Sequence, residues 1–336
     1  MTTIPETARR IVFPAAGQVA LEDYKLPSPA PGQILVQTLY SLMSIGTETT
    51  ILHQRYAPDS HFARMFSFPQ LQTGVQSVGV VVATGQGCTE LNPGDRVYMR
   101  LGHGSHQLIA ESDCSPVPAG VDPKQACWCG LAKTAFRAAW AGGFAAGTEV
   151  LIIGAGPVGQ MLTRWAAALD CARITVADLS EKRLAKARDG GATDLVPGDL
   201  QASADESFPL VIDCTGNPAV FQPALAAAAK FGKVILLGDT GFPGRQCLSS
   251  DLMTKGLTLQ ATHDSHDRDG WTERRVDALF FEKLQDKRFP LEGLISHEFH
   301  PHDCTGAYQL AENQRHDTMG ILFNWTDTQD GDPDDS

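Results

Sequence analysis

Two rhythms in this 336-residue chain predict an α/β protein, a mostly β domain followed by a doubly wound parallel-sheet domain. Residues 1 to about 125 carry short apolar runs (RRIVFP, QILVQTLYS, VGVVVATG, DRVYMR, HQLIAES) separated by turns such as PSPAPGQ and NPGDRV. That spacing predicts short, mainly antiparallel strands. From about residue 148, glycine-bounded apolar strands (EVLIIG, RITVAD, PLVIDCTG, KVILLGD) alternate with helical stretches (VGQMLTRWAAALD, EKRLAKARDGG, PAVFQPALAAAAKFG). This alternation predicts a parallel sheet with right-handed crossovers. Beyond LTLQA the pattern is mixed again, with amphipathic helices expected in TERRVDALFFEKLQDKR and HDCTGAYQLAENQ. The expected domains are 1–125, 126–262 and a return to the first over 263–326, with an acidic, disordered tail at 327–336.

The formal net charge of −12 includes five aspartates of that tail (327, 330, 332, 334 and 335), and the body without them is still acidic. An acidic body is the wrong partner for nucleic acid or an anionic lipid surface, so neither is expected. MTTIPETARR lacks the apolar core of a secretory leader, and no run of about 18 apolar residues is present, so a cytoplasmic protein without membrane contact is expected. Eight cysteines are scattered without a CxxC pair, a pattern of buried free thiols. ACWCG is a bare CxC without the companion ligands of a zinc site.

The densest signal is EVLIIGAGPVGQML, where Gly154, Gly156 and Gly159 form GxGxxG between a strand and a helix. The glycines permit a tight turn, approach of a pyrophosphate to backbone amides, and close packing of helix on strand. Pro157 suits a first helical turn and Val158 follows it there. Asp178 ends RITVAD in the position of a carboxylate that accepts from both adenosine-ribose hydroxyls, which favours NAD over NADP. Lys182 and Arg183 stand nearby as basic residues that oppose the preference. Arg183, Thr215, Gly216 and Gly238 complete the expected cofactor contacts.

LNPGDRVYM, AGTEVLIIGAGPVGQ, VADLSEKRLAKARDGGATDLV and VIDCTGNPAV together resemble the medium-chain dehydrogenase/reductase superfamily over nearly the whole chain. The resemblance implies a GroES-like catalytic domain joined to a Rossmann domain, an active-site cleft between them, a small-molecule substrate and a homodimer or homotetramer. Zinc members carry a Cys where this chain has Ser44, and Gly-His-Glu where it has Gly74, Val75 and Gln76. Cys129 falls one residue out of register, and the four-cysteine structural lobe is missing, so no metal is expected. SIGTET, LAKTAF and the C-terminal LISHEFHPHDCTGAYQLAENQRHDTMGILFNW resemble the zinc-lacking branch that includes bacteriochlorophyllide hydroxyethyl dehydrogenase.

Without zinc, a side chain must take the proton from the substrate hydroxyl or hold the alkoxide. The resemblance places Lys133 and Thr134 beside the nicotinamide, where apolar surroundings would make the amine a base; the alternative is a solvated helix lysine. ATHDSHDRDGW supplies His263, Asp264 and His266, a histidine oriented by a carboxylate or else a polar hinge loop. His103 and His106 are third in rank. The polar stretch YSLMSIGTETT reads as a loop whose Ser44, Thr47 and Glu48 hold substrate, the alternative being that Glu48 caps the helix-like TTILHQRY. The expected activity is zinc-independent interconversion of a secondary alcohol (sugar, polyol or other hydroxylated compound) and its ketone. Alternatives are bacteriochlorophyllide-type dehydrogenation, quinone or enoyl reduction, which Asp178 argues against, and dinucleotide binding without turnover.

Overall fold

The computed structural model describes residues 4–69, 71–200, 208–239 and 241–326; the tail expected at 327–336 lies outside the described residues. The chain divides into two compact units, residues 1–54, 66–130 and 295–336 in the first and 55–65 with 131–294 in the second.

In the first unit, β1 (Thr7–Phe13) pairs antiparallel with β2 (Ala20–Lys25). Sequence pattern missed β2 because ALEDYK is a half-exposed edge strand with no apolar run. β3 (Gln33–Leu42) is the centre of a seven-stranded sheet, its QILVQTLYSL largely buried. α1 (Ile45–Leu52) follows at once, so YSLMSIGTETT is not the loop expected but a strand end running into a helix. The chain then enters the second unit as α2 (His61–Met65) and returns as β4 (Leu71–Gln72), β5 (Ser77–Thr84), β6 (Arg96–Met99), β7 (His106–Ala110) and β8 (Cys114–Pro116), with α3 (Pro123–Ala126) last. β3 pairs antiparallel with β5 and β7, and Ile34, Val36, Val81, Val97, Met99 and Ile109 form the core beneath them.

The second unit opens with α4 (Cys129–Gly142), whose first two residues belong to the first unit, and continues β9 (Glu149–Ile153), α5 (Pro157–Ala168), β10 (Arg173–Asp178), α6 (Glu181–Asp189), β11 (Asp194–Pro197) and β12 (Phe208–Asp213). α7 (Phe221–Ala227), β13 (Ala228–Leu236), α8 (Asp251–Thr254), β14 (Thr258–Ala261) and α9 (Glu273–Gln285) complete it. The six parallel strands stand in the order β11-β10-β9-β12-β13-β14, the doubly wound order of the Rossmann fold, which reverses between β9 and β12. The helix expected through Gly232 ends at Ala227, because Ala228 is buried in register with Phe208 and the alanine run becomes strand. β15 (Ile295–Phe299), α10 (Cys304–Asn313) and β16 (Gly320–Asn324) return to the first unit, where β16 lies beside β3. The return falls at 295 and not at 263, since α9 buries Phe280 against Phe289, and Phe289 packs on Trp165 of α5.

Among the described residues no helix is long and apolar enough to cross a membrane. Trp165 is a packing centre of the second unit: fully buried, its ring meets Phe136 and Phe289 edge-on, and its indole N–H donates to Ala132 O at 2.7 Å. Trp165→Ala is expected to lower unfolding free energy by about 3–5 kcal/mol, measured by urea denaturation.

Candidate active site

The glycine turn after β9 has the geometry a dinucleotide needs. Gly154 adopts φ +95°, a backbone that L side chains rarely take, and a Cβ on Gly159 would stand 1.8 Å from Gly154 O, so helix and strand meet through the missing side chain. Gly156 differs. A Cβ there would meet only the Arg183 guanidinium, at 3.7 Å, so the space above the turn is open. Gly156 is also the N-cap of α5 without a side-chain hydrogen bond, which leaves first-turn amides, flanked by Pro157 and Val158, directed at that space. These residues fit a dinucleotide pyrophosphate.

Asp178 closes β10 beside the turn, its two oxygens accepting Ala155 N–H at 2.7 Å and Ser180 N–H at 2.8 Å. A carboxylate has about four acceptor sites, so each oxygen keeps capacity for a ribose hydroxyl. Thr215, Gly216 and Gly238 meet at the carboxyl ends of β12 and β13, where a Cβ on Gly238 would lie 2.3 Å from Gly216 N. Asp213 fixes this corner by accepting from the Thr215 amide and hydroxyl through one oxygen, and burial raises its pKa against those bonds.

The loop after β14 is clamped onto α4 by two buried cations. Lys133, 1% exposed, lies 3.1 Å from Asp264 and 2.7 Å from Glu273. Arg137, one turn on, donates to Asp264 O, Trp271 O and the Asp267 carboxylate. The apolar surroundings expected for Lys133 are therefore not found, because an ammonium buried this deeply requires opposite charge beside it. Nor is His263 oriented by Asp264, whose carboxylate is turned to Lys133 and accepts from Thr134 Oγ1 at 3.4 Å. Nδ1 of His263 instead meets Ser265, accepting its backbone N–H at 3.2 Å and lying 2.8 Å from its hydroxyl. A backbone amide can only donate, so the neutral ring carries its proton on Nε2. Sequence reasoning passed over Arg137, although Lys133 and Arg137 at i,i+4 in an otherwise apolar helix were a visible pair.

In the first unit Glu48 does not face a pocket. It is 1% exposed: Oε1 accepts Ser44 N–H at 2.6 Å, and Oε2 accepts from Thr73 at 2.8 Å, Tyr308 at 2.5 Å and His103 at 3.1 Å. His103 is fully buried, its Nδ1 on Ser41 Oγ, which also accepts the Trp325 indole N–H. Ser44 is buried too and donates to Thr47. Ser44, Thr47, Glu48 and His103, expected near substrate, are joined here in an internal network whose further members, Thr73 and Tyr308, carried no local signal. His106 is half-buried, and burial lowers its pKa.

This network does not fit a zinc ion. Ser44 is a hydroxyl and not a thiolate, the Val75 side chain has no donor atom, both oxygens of Glu48 are engaged, and Cys127, whose thiol burial pushes up, bonds Tyr40 O. Among the described residues no three His, Cys, Asp or Glu side chains are grouped to hold a metal.

The alcohol dehydrogenase GroES-like domain model matches residues 30–152, and the zinc-binding dehydrogenase model matches residues 157–275. The chain is 26% identical over 287 residues to the uncharacterized zinc-type alcohol dehydrogenase-like protein YphC of Escherichia coli K12, covering 72% of this chain and 79% of that one. It is 24% identical over 331 residues to sorbitol dehydrogenase of Pongo abelii, covering 86% and 88%. The solved acetophenone reductase of Geotrichum candidum, in complex with NAD, superposes with a TM-score of 0.81 at 19% identity over 96% of this chain and 98% of that one, a likeness of fold.

The Glu48 network sets a pH window for stability. Burial alone would raise the Glu48 pKa, but His103 charge and the bonds from His103, Tyr308 and Thr73 outweigh it, so the net shift is downward from 4.5. A lowered folded pKa gives stability that is present above 4.5 and lost as pH falls through the folded value. Tyr308 is raised well above 10 by burial and by Glu48, so its contribution is complete below 10 and lost as pH climbs beyond it. Urea midpoints should therefore fall on both sides of that range. Glu48→Ala is expected to cost about 3–5 kcal/mol at neutral pH and to flatten the acid limb.

Proposed function

This chain belongs to the medium-chain dehydrogenase/reductase superfamily, oxidoreductases acting on CH–OH groups with a nicotinamide dinucleotide, and from that premise we propose a zinc-independent, NAD(H)-dependent enzyme interconverting a secondary alcohol of the sugar or polyol kind and its ketone. One observation carries the reading: on the same sheet, the dinucleotide turn lies at β9 and β10, while the clamped His263 loop lies at the carboxyl end of β14. With adenosine at Asp178, the other nucleotide runs over β12 to β14, and three strand spacings, about 14 Å, separate β9 from that loop.

When bound, the nicotinamide supplies the hydride acceptor or donor. The protein's own residues do the rest. Asp178 holds the adenosine ribose, the α5 amides and Arg183 the pyrophosphate, and Thr215, Gly216 and Gly238 form the floor of the second half. His263 donates from Nε2 to the substrate oxygen and stabilises the charge that develops there. It is a donor and not the proton acceptor first expected, since its Nδ1 is already engaged by the Ser265 amide. The hydroxyl proton passes to Thr134 Oγ1 as Thr134 delivers its own to Asp264, along the bond it already makes. Lys133 and Arg137 are positioning residues that keep Asp264 and the loop in place. The residue types at Ser44, Val75 and Gln76, which offer neither thiolate nor imidazole, support chemistry without zinc.

An NAD-reduction screen of the purified protein against polyols, sugars and simple secondary alcohols is expected to find turnover that survives chelation. Stoichiometric zinc whose removal abolishes turnover would overturn the metal-free reading. His263→Ala should lower kcat about 100-fold with NADH affinity, read by fluorescence, unchanged. Asp178→Gly should raise the NADP/NAD ratio of kcat/KM about 10-fold or more, because the guanidinium of Arg183 remains near the turn.

A further inference from the structure

Residues 55–65 leave the first unit and dock on the second: Ala57 N–H donates to Gly241 O at 2.8 Å, and Gly241 has room for no Cβ against Arg55 O. This excursion brings His61 to the loop after β14, its ring 5.1 Å from that of His263, which is 5.8 Å from that of His266. Three imidazoles thus line one corner at the carboxyl end of β14.

The hydrogen bonds define what such a corner can bind. His266 Nδ1 accepts the backbone N–H of His263 at 3.1 Å, just as His263 Nδ1 accepts that of Ser265. Both neutral rings therefore carry their proton on Nε2 and present a donor, not a lone pair. A metal ion needs the lone pair and finds none on either ring in this state. The acidic side chains of the loop are engaged elsewhere, Asp264 with Lys133, Asp267 with Arg137 and Asp269 with Arg268. The Thr262 hydroxyl, next to His263 in the chain, is buried without a hydrogen-bond partner.

We propose that His61 and His266 form an anion-binding subsite next to His263, so that the preferred substrate is a hydroxylated compound bearing a carboxylate or a phosphate. Selection arises because an oxyanion accepts from several N–H donors at once, in bonds roughly twice as strong as those to a neutral hydroxyl. The subsite rests on the reading that this loop faces substrate, but binding can be measured without turnover. Loss of kcat in His263→Ala tests that reading separately.

The test is a titration of the full chain, with NADH bound, against gluconate, inorganic phosphate and sorbitol, followed by NMR of ¹⁵N-labelled histidine side chains. Gluconate or phosphate is expected to shift the His61 and His266 signals at concentrations where sorbitol does not. A response to gluconate alone assigns a carboxylate, and one to phosphate alone assigns a phosphate. His266→Ala and His61→Ala should each weaken that binding about 10-fold while NADH affinity stays unchanged, about 1.4 kcal/mol in each case. The proposal fails if neither anion shifts the rings, if sorbitol shifts them equally, or if both variants bind the anion as the parent does. Saturable zinc binding to the same rings would also overturn it.

Discussion

A charge taken out of water must be met by opposite charge or by enough hydrogen-bond donors, and each unit of this protein is organised round one that is. In the second unit that charge is the Lys133 ammonium. Its two carboxylates come from the loop after β14 and from the start of α9, so burying one amine fixes both segments against α4. Arg137 repeats the device one turn later and reaches the far end of the same loop at Trp271. A segment rich in exposed polar residues, which by composition should wander, is held by two cations that cannot leave the interior without exposing unpaired carboxylates.

The first unit inverts the signs. Glu48 is the buried charge, and its donors arrive from α1, from the turn before β5, from the segment before β7 and from α10. Those four segments converge on one carboxylate, and their donors all point inward at it.

Local features were legible in the sequence to the degree that their physics is local. β9, β10 and β12 are continuous apolar runs, and the Gly154-to-Gly159 turn with Asp178 needs only neighbouring residues to make sense. The same rule explains the failures. Glu48 looked like a pocket residue because its partners Thr73, His103 and Tyr308 lie 25, 55 and 260 positions away. Lys133 looked like a base in apolar surroundings because the apolar helix is local and its carboxylates are not. The alanine run after Ala227 looked helical because propensity favours helix there, and only parallel pairing with β12 makes it strand. His61 carried no local signal at all, since its place depends on an excursion of the chain into the second unit.

The difference between a histidine that accepts a proton and one that donates a hydrogen bond lies in one backbone amide. Were His263 Nδ1 held by a carboxylate, as its neighbour Asp264 suggested, Nδ1 would carry the proton and Nε2 would be a base. With Lys133 drawing Asp264 away, the Ser265 amide takes its place, and the tautomer reverses. In the proposed reaction the buried lysine thus acts on the reacting oxygen without approaching it. By occupying the carboxylate that would have made His263 basic, it leaves the imidazole as a neutral donor, and in that proposal proton transfer falls to Asp264 and Thr134. Charge burial, which holds the loop in place, is in this way also what divides the chemical roles among its residues.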